Sequence, residues 1–311
     1  MFSHRFALGL GVTAMPSFNS ESVAASSPSG LNAAPPASAS SRPRSDSPVW
    51  SSLLTTHRVR IWHGRHLVVR DVNLAIPRER ITALIGPSGC GKSTLLRAFN
   101  RLTDLTPLLR VEGTIQLEGR DIHDPTIRVD ELRRRVGMIF PQPQPFSKSI
   151  FENVAWAIRL KGPVEHLEEK VEIALRRARL WDEVKDKLQS PAQALPPGPS
   201  QRLCLARALA VEPEALLLDE PCASLDPGAT AQLEEALMDL KFKDGMTMVI
   251  VTHNLAQAKR ISDLTACLAL DDASPDPTRP TGLLVEAAAT ETIFTTPRDP
   301  RTEAYITGRV G

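Results

Sequence analysis

The sequence has few aromatic residues and almost no excess of charge of either sign. Aromatic side chains make up 5% of the 311 residues, and the formal net charge is +1 at pH 7. A protein that binds nucleic acid needs a basic surface and rings on which bases can stack. The composition offers neither, so we expect no nucleic acid among the partners.

Cysteines and long apolar runs are also scarce. The four cysteines are Cys90, Cys204, Cys222 and Cys267. They have neither the spacing of a disulfide framework nor that of a metal site, and each lies beside a motif or an apolar run. We expect small buried side chains in a reducing compartment. No apolar run approaches the ~20 residues that a membrane-spanning helix needs, so we do not expect this chain to cross a bilayer by itself.

Residues 1–49 differ in composition from the rest of the chain. They are rich in serine, alanine and proline and contain only two acidic residues, Glu21 and Asp46. Such a segment cannot bury enough apolar surface to fold, which predicts a disordered tail. The alternative is a targeting peptide, because arginine with few acids is typical of one.

The remainder of the chain has the pattern of an α/β fold. The stretch HRVRIWHGRHLVVRDVNLAI predicts two paired strands with a turn at Gly64. Further on, wholly apolar strands such as RITALIG, EALLLDE and MTMVIVTH alternate with amphipathic helices. Residues 149–188 are mostly helical in period. The alternation predicts a parallel sheet with helices on both faces.

The segment GPSGCGKS fits the pattern G-x-x-x-x-G-K-S between a predicted strand and a predicted helix. Its glycines let backbone N–H groups face a phosphate, and the helix N-terminus adds its positive end. Lys92 is suited to reach the β- and γ-phosphates, and Ser93 to ligate Mg²⁺. The alternative is a chance glycine-rich turn. The predicted nucleotide-binding residues here are Gly86, Pro87, Ser88, Gly89, Cys90, Gly91, Lys92, Ser93 and Thr94.

Two further strands end in residues suited to the same chemistry. ALLLDEP delivers Asp219, suited to hold Mg²⁺, and Glu220, suited to polarise an attacking water. MVIVTHN delivers His253, which we expect to contact the γ-phosphate, although a lone histidine there also suits a capping or core position. Ligands of open α/β sheets bind at this edge. We therefore expect Glu220 and His253 to be catalytic.

Together with RALAVEPEALLLDEPCASLD, these motifs resemble the ATP-binding cassette (ABC) family of transporter ATPases, over about residues 55–311. The segments IGPSGCGKSTLLRAFNRL and TIFTTPRDPRTEAYITGRVG are similar to those of phosphate-importer ATPases. The resemblance implies an α/β P-loop NTPase of ABC type, with a mostly parallel sheet core, an antiparallel β subdomain and an inserted α-helical subdomain. The ATPase domain would span 52–311, with the helical subdomain at about 149–195.

The resemblance also implies a function and partners. It implies ATP hydrolysis with ATP and Mg²⁺, coupled to uptake of inorganic phosphate. The implied partners are a second ABC ATPase in a homodimer or heterodimer, two transmembrane permease subunits and a phosphate-binding protein. The implied place is the cytoplasmic face of the inner membrane, or an organelle if the first 49 residues are a transit peptide. A cassette ATPase of DNA repair would carry a long heptad coiled coil, which this sequence lacks.

The resemblance also implies positions for the base-stacking aromatic residue, with an alternative reading, and for the dimer-interface loop. The aromatic that stacks on adenine corresponds to Trp62 or His63 in the segment WHG, unless Trp62 only packs within its hairpin. The segment ASLD, ending at Asp226, resembles the loop that crosses the dimer interface.

Two segments depart from the family pattern. The signature, usually Leu-Ser-Gly-Gly-Gln, is here Leu195, Pro196, Pro197, Gly198 and Pro199. In the family it binds the γ-phosphate held by the other subunit, through a serine hydroxyl and glycine N–H groups. Because proline has neither donor, at least two donors are lost, although proline suits the first turn of a helix. We expect a formed helix with a poor phosphate clamp.

The second departure lies in MIFPQPQPF. The family places a glutamine directly after the strand as a sensor of Mg²⁺, and this sequence has Pro141 there. Gln142 would replace it only if the loop shifts by one residue. The departures leave two hypotheses: an active ATPase subunit, or a nucleotide-binding regulatory subunit with little or no turnover.

Overall fold

A ten-stranded sheet forms the frame of the molecule in the computed structural model, which describes residues 50–160, 162–271 and 280–309. The predicted tail at 1–49 lies outside the described residues. The strands are β1 (Ser52–His63), β2 (His66–Pro77), β3 (Ile81–Ile85), β4 (Leu109–Leu117), β5 (Arg120–Asp121), β6 (Val136–Ile139), β7 (Ala215–Asp219), β8 (Thr247–Val251), β9 (Leu264–Leu270) and β10 (Gly282–Ala289). Their order across the sheet is β5-β4-β1-β2-β10-β9-β3-β8-β7-β6.

The sheet has a parallel part and an antiparallel part. Strands β6, β7, β8, β3 and β9 pair in parallel, whereas β1 pairs antiparallel with β2 and β4. The predicted α/β fold, with a mostly parallel core and an antiparallel part, is therefore confirmed. The predicted turn at Gly64 joins β1 to β2, with Gly64 at φ 61°.

Helices cover both faces of the parallel strands. They are α1 (Lys92–Ala98), α2 (Val129–Arg135), α3 (Ile150–Arg159), α4 (Leu167–Arg177), α5 (Trp181–Val184), α6 (Pro197–Leu209), α7 (Pro227–Asp244), α8 (Leu255–Ile261), α9 (Thr290–Thr295) and α10 (Pro300–Ile306). Three helices of the segment between β6 and β7, namely α3, α4 and α6, pack against one another. None of the helices in the described ranges has both the length and the apolar character to cross a bilayer.

Alternation along each buried strand divides the core between the two faces. In β7, Leu216 and Leu218 belong to the cluster that includes α3, α4, α6 and α7, and Leu217 belongs to the cluster that includes α1 and β1. All five residues of β3, β7 and β8 are buried. Strands that are buried on both faces need cover on both sides, so the apolar runs of the sequence mark the central strands of the sheet. The polar residues that follow these runs mark the edge at which the strands end.

Candidate nucleotide site

Three neighbouring strands end at one edge of the sheet, and the predicted site residues follow them. Leu84 of β3 pairs with Val251 of β8, which pairs in turn with Asp219 of β7. The phosphate loop follows β3, Glu220 follows β7, and His253 comes two residues after β8. The topology therefore gathers residues that lie more than 120 positions apart in the sequence.

The phosphate loop, residues 86–93, is held tightly against the sheet. Gly91 precedes α1 with φ 84°, in the left-handed region that favours glycine. A Cβ added to Gly91 would lie 2.4 Å from Cγ2 of Val69, and one added to Gly86 would lie 2.1 Å from the carbonyl oxygen of Leu268. Ser88 and Gly89 remain exposed at the tip of the loop. Glycine is thus required at both ends of the loop, and its middle faces solvent.

Lys92 is buried within its own loop. Its Nζ donates to the carbonyl oxygens of Gly86 at 2.8 Å and Pro87 at 2.9 Å. A buried ammonium group must be compensated, and these carbonyls compensate it here. The ammonium group therefore links the end of the loop to its first two residues.

Asp219 is the buried carboxylate of the site. Ser93 Oγ donates to its Oδ1 at 2.6 Å, and Arg97 donates to its Oδ2 at 3.0 Å. The Asp219 side chain is 2% exposed. Ser93 and Arg97 both lie on α1, four residues apart, and so share one face of that helix. The sequence analysis missed Arg97, although its spacing from Ser93 was a usable signal.

Glu220 and His253 form the second polar pair. Nε2 of His253 lies 3.0 Å from Oε1 of Glu220. Glu220 has φ 46°, a left-handed conformation that costs a non-glycine residue about 1–2 kcal/mol. Its N–H donates to the carbonyl oxygen of Val251 at 3.0 Å, which fixes that turn. The strained backbone turns the chain directly after β7, so Glu220 emerges at the sheet edge while Asp219 stays buried.

A cavity of about 650 Å³ opens beside this pair. It lies between the starts of α7 and α8, and its wall includes Glu220, His253, Cys222 and Glu234. Asn254 caps α8 by accepting from the Gln257 N–H at 3.0 Å. This cap ties down the turn that carries His253.

The two candidates for the base-stacking position lie on opposite faces of β1. Trp62 pairs with Arg110 of β4; its Nε1 donates to Glu112 at 2.9 Å, and the Arg110 guanidinium lies 5.5 Å from the ring centroid. These contacts match the hairpin-packing alternative. His63 is exposed and shares a face with Ile61, which is buried in the same cluster as the phosphate-loop residue Cys90.

The proline-rich segment does form a helix start. Helix α6 begins at Pro197, and Pro196 caps it with φ −57° and ψ 163°. The Ser200 N–H donates to the Pro196 carbonyl oxygen at 2.9 Å. Among residues 196–199, Gly198 alone has a backbone N–H, because the other three are prolines. The first turn is therefore well formed and offers a single amide donor beyond the one already used.

Gly198 is fixed by packing against α7. A Cβ on Gly198 would lie 2.6 Å from the Cβ of Ala229. Ala229 in turn donates its N–H to Asp226, the cap of α7, at 3.0 Å. The signature segment and the predicted dimer loop thus share one contact between helix starts.

The segment after β6 does not bring Gln142 to the carboxylates. Gln142 is exposed and lies in a separate groove with Met138, Trp156 and Arg207, away from the cavity beside Glu220 and His253. The carbonyl oxygen of Pro141 accepts from Ser224 Oγ at 3.3 Å. The suggested role of Gln142 at Mg²⁺ stays a prediction.

Gln201, which the sequence analysis missed, links the segment after β6 to the segment after β7. Nε2 of Gln201 on α6 donates to the carbonyl oxygens of Phe140 at 2.8 Å and Pro221 at 3.0 Å. Its Oε1 is buried and has no hydrogen-bond partner in the described part of the chain. One side chain therefore joins the end of β6 to the residue after Glu220. No local motif identifies this role, because it depends on how α6 packs.

Comparisons with known proteins agree with this geometry. The family model described as "ABC transporter" matches residues 69–223. The phosphate import ATP-binding protein PstB 1 of Synechococcus sp. (strain JA-2-3B'a(2-13)) is 51% identical over 258 residues, covering 83% of this chain and 92% of the relative. PstB of Idiomarina loihiensis is 48% identical over 266 residues, covering 85% and 93%. The chain belongs to the ABC transporter ATPase family.

Solved structures support the ABC fold independently. The structure of cbiO1 from Clostridium perfringens, part of the ABC transporter complex cbiONQ, matches with a TM-score of 0.65 at 24% identity, covering 83% of this chain and 96% of that one. A bacterial Atm1-family ABC exporter matches with a TM-score of 0.66 at 21% identity, covering 87% and 44%. At these identities the structures establish the fold alone. The predicted P-loop NTPase fold of ABC type is therefore confirmed.

Proposed function

We propose that this ABC ATPase binds and hydrolyses ATP as the motor subunit of an inorganic phosphate importer. One observation carries the proposal. Lys92, the Ser93–Asp219 pair and the Glu220–His253 pair converge at the edge formed by β3, β7 and β8. The relatives named phosphate import ATP-binding proteins support phosphate as the solute, since solute choice is not encoded in this edge.

The residues present fit a magnesium ion. Ser93 Oγ and Asp219 Oδ1 are hard oxygen donors 2.6 Å apart beside the phosphate loop. Mg²⁺ is usually held by one or two carboxylates plus substrate phosphates, rather than by a cage of protein ligands. When bound with ATP, the ion neutralises charge on the phosphate oxygens.

The chain's own residues divide the work of hydrolysis. Lys92 leaves the Gly86 and Pro87 carbonyls to hold phosphate oxygens, and the loop amides orient the same group. Glu220 accepts the proton of the attacking water, and His253 fixes the carboxylate through Oε1. Arg97 keeps the second oxygen of Asp219 occupied, which orients the carboxylate toward Ser93. His63, on the phosphate-loop face of β1, lies against the base.

We further propose that a permease subunit binds in a groove beside α6, which is separate from the cavity at Glu220 and His253. The groove has a volume of about 330 Å³ and lies between the segment after β6, α3 and α6. Phe140, Trp156 and Leu160 border it and are 36%, 42% and 48% exposed. An exposed apolar patch of this kind is typical of a protein contact. The proposed assembly contains two copies of this chain, or one copy and a paralogue, together with two permeases and a phosphate-binding protein. The ATPase subunits would work at the cytoplasmic face of the inner membrane.

Steady-state release of phosphate from ATP by the purified protein tests the enzymatic proposal. We expect Mg²⁺-dependent turnover that Glu220→Gln abolishes while ATP binding, followed by calorimetry, is retained. Measurable binding with no turnover in the native chain would contradict hydrolysis by this chain alone.

The start of α6 favours a second candidate function. With Gly198 as the only donor among residues 196–199, the chain offers a poor clamp to ATP held by a partner. In a homodimer both sites would suffer and the subunit would regulate rather than turn over. In a heterodimer with a subunit of intact signature, ATP bound to this chain would still be hydrolysed. Turnover of the isolated chain at a rate unaffected by restoring the signature would exclude this candidate.

A further inference from the structure

Gln257, in the first turn of α8, is almost completely buried beside the Glu220–His253 pair. It is 2% exposed and forms part of the wall of the cavity at that pair. Its backbone N–H donates to Oδ1 of Asn254 at 3.0 Å. Asn254 directly follows His253, so this bond attaches Gln257 to the turn that carries the histidine.

The side chain of Gln257 reaches two other segments. Its Nε2 donates to Sγ of Cys222 at 3.2 Å and to Oε1 of Glu234 at 3.0 Å. An amide nitrogen has two hydrogens, so these two bonds use both of them. Cys222 follows Glu220 by two residues, and Glu234 lies on α7. A single residue therefore links the turn after β7, the turn after β8 and helix α7.

Glu234 fixes the orientation of this amide group. Its side chain is 10% exposed, and its two oxygens accept from Nη2 of Arg260 at 2.7 and 2.8 Å. Because a carboxylate only accepts hydrogen bonds, Gln257 must direct its nitrogen rather than its oxygen toward Glu234. Since Arg260 also holds the carboxylate, Glu234 would keep a partner if the amide of Gln257 were removed.

The turn after β7 depends on contacts of this kind. The Ala223 N–H donates to the carbonyl oxygen of Glu220 at 3.1 Å, which closes the turn. Glu220 itself has φ 46°. A non-glycine residue keeps such a conformation only where the surrounding structure holds it. The bond from Gln257 to Cys222 is one of these contacts, two residues from the strained position.

We propose that Gln257 is a positioning residue for ATP hydrolysis, which sets Glu220 relative to His253 by holding the two turns that carry them. Their side chains meet at 3.0 Å, and each turn is hydrogen-bonded to Gln257. Gln257 belongs to none of the motifs quoted from the sequence, and it acts through the other two residues. The inference rests on the proposed hydrolysis of ATP.

The variant Gln257→Met removes the amide group and keeps the length of the side chain. Methionine and glutamine have similar helix propensities, so α8 should still form. We expect kcat to fall by about 10- to 100-fold, because a small displacement of the reacting groups has an effect of this size. Binding of a non-hydrolysable ATP analogue with Mg²⁺, measured by calorimetry, should be unchanged, since the phosphate loop is not altered.

The same exchange at an exposed position is the matched control. Gln232→Met places methionine on the exposed side of α7 and should leave turnover and binding unchanged. Turnover is divided by the number of binding sites that calorimetry finds, so unfolded protein does not contribute. A purely structural role of Gln257 would lower the melting temperature and the number of binding sites, and leave turnover per site at the native value.

Two variants of Cys222 test the connection to Glu220. Cys222→Ala removes the acceptor and should lower kcat by about 2- to 10-fold, as expected for one neutral hydrogen bond. Cys222→Ser supplies an acceptor again and should recover most of the native rate. Because both residues act through one bond, Gln257→Met should cost less in the Cys222→Ala chain than in the native chain. Fully additive losses would overturn the connection through Cys222.

The outcomes separate this inference from the proposed function. Native turnover per site in Gln257→Met, with Glu220→Gln still inactive, would overturn the role of Gln257 and leave the proposed ATPase intact. If the native chain binds the analogue and does not hydrolyse ATP, the proposed hydrolysis fails and the role of Gln257 fails with it.

Discussion

The starts of two helices, α1 and α6, differ in how many backbone N–H donors they present. Helix α1 follows the glycine loop, and its first residues Lys92 and Ser93 keep their N–H groups. Helix α6 follows Pro196 and contains Pro197 and Pro199 in its first turn. Both are sound helix starts, since proline suits the first turn. A helix start can therefore form without providing an anion site. Helix α6 has a well-formed start but lacks most of the N–H donors that an anion site needs.

The comparison assigns different work to each start. In the proposed mechanism, the phosphate loop, with Asp219 and Glu220 beside it, holds and attacks the ATP of this chain. In the proposed dimer, the start of α6 would serve the nucleotide of the other subunit. In that dimer, the ATP site of this chain relies on the signature segment of its partner. The ATP site of the partner gains little from the weakened signature segment of this chain.

The largest expected effect comes from removing the cation of the phosphate loop. Lys92→Ala should weaken ATP binding about 100-fold, because a hydrogen bond to a charged group contributes about 1.5–3 kcal/mol. Turnover should be lost with it. Calorimetric titration with ATP measures the effect, and Lys259→Ala, which changes a lysine on the exposed side of α8, is the matched control. Unchanged affinity would show that the pocket described is not where ATP binds.

Restoring the donors at α6 should have the next largest effect. The triple variant Pro196→Ser, Pro197→Gly and Pro199→Gln restores three missing N–H groups and adds a hydroxyl. We expect turnover per chain to rise by about 10- to 100-fold, with ATP affinity at low protein concentration unchanged. A rise in affinity without a rise in turnover would mean that the prolines disturb this chain's own pocket.

The contact between Gly198 and Ala229 should tolerate no added methyl group. Gly198→Ala places a Cβ 2.6 Å from the Cβ of Ala229 and should lower the free energy of unfolding by about 1–3 kcal/mol. Ala229→Gly in the same chain should recover most of that loss. Denaturant titration of the two single variants and the double variant gives the coupling. Additive effects would show that the two helix starts are not in contact.

The smallest expected effect is a graded reactivity of the cysteines. Burial raises the pKa of Cys90, Cys204 and Cys222, and raises that of Cys267 to about 12. A raised pKa leaves little thiolate at pH 8 and more as the pH rises, so alkylation should speed up with pH. Mass spectrometry after brief alkylation should find Cys222 modified first, because it is only half-buried. Equal labelling of Cys90 would contradict the packed phosphate loop.

The sequence predicts the sheet well because its strands are short, apolar and followed by residues of clear chemistry. RITALIG, EALLLDE and MTMVIVTH appear as β3, β7 and β8, and the turn at Gly64 appears where the alternation breaks. Helix α1 ends at Ala98, and the chain leaves the helical direction where Arg101 takes φ 57°. Three of the four cysteines are buried, as expected, and Cys222 lies partly open to the cavity beside Glu220.

The missed features depend on contacts between distant segments. Gln201 joins loops that lie 61 and 20 residues away, and it has no local pattern from which the contact follows. The contacts of Trp62 with Arg110 and Glu112 likewise depend on the pairing of β1 with β4, and the base-stacking role of Trp62 or His63 stays a prediction.

A mixing experiment tests most directly the claim that the pocket is complete and the clamp is not. One variant combines Glu220→Gln with the restored signature, and the other is the native chain. In the mixed dimer, the native pocket faces a restored clamp, while the other site has lost its base. We predict that an equal mixture hydrolyses ATP several-fold faster than the native chain alone, whereas the variant alone is inactive. A mixture with half the native rate or less would contradict the account.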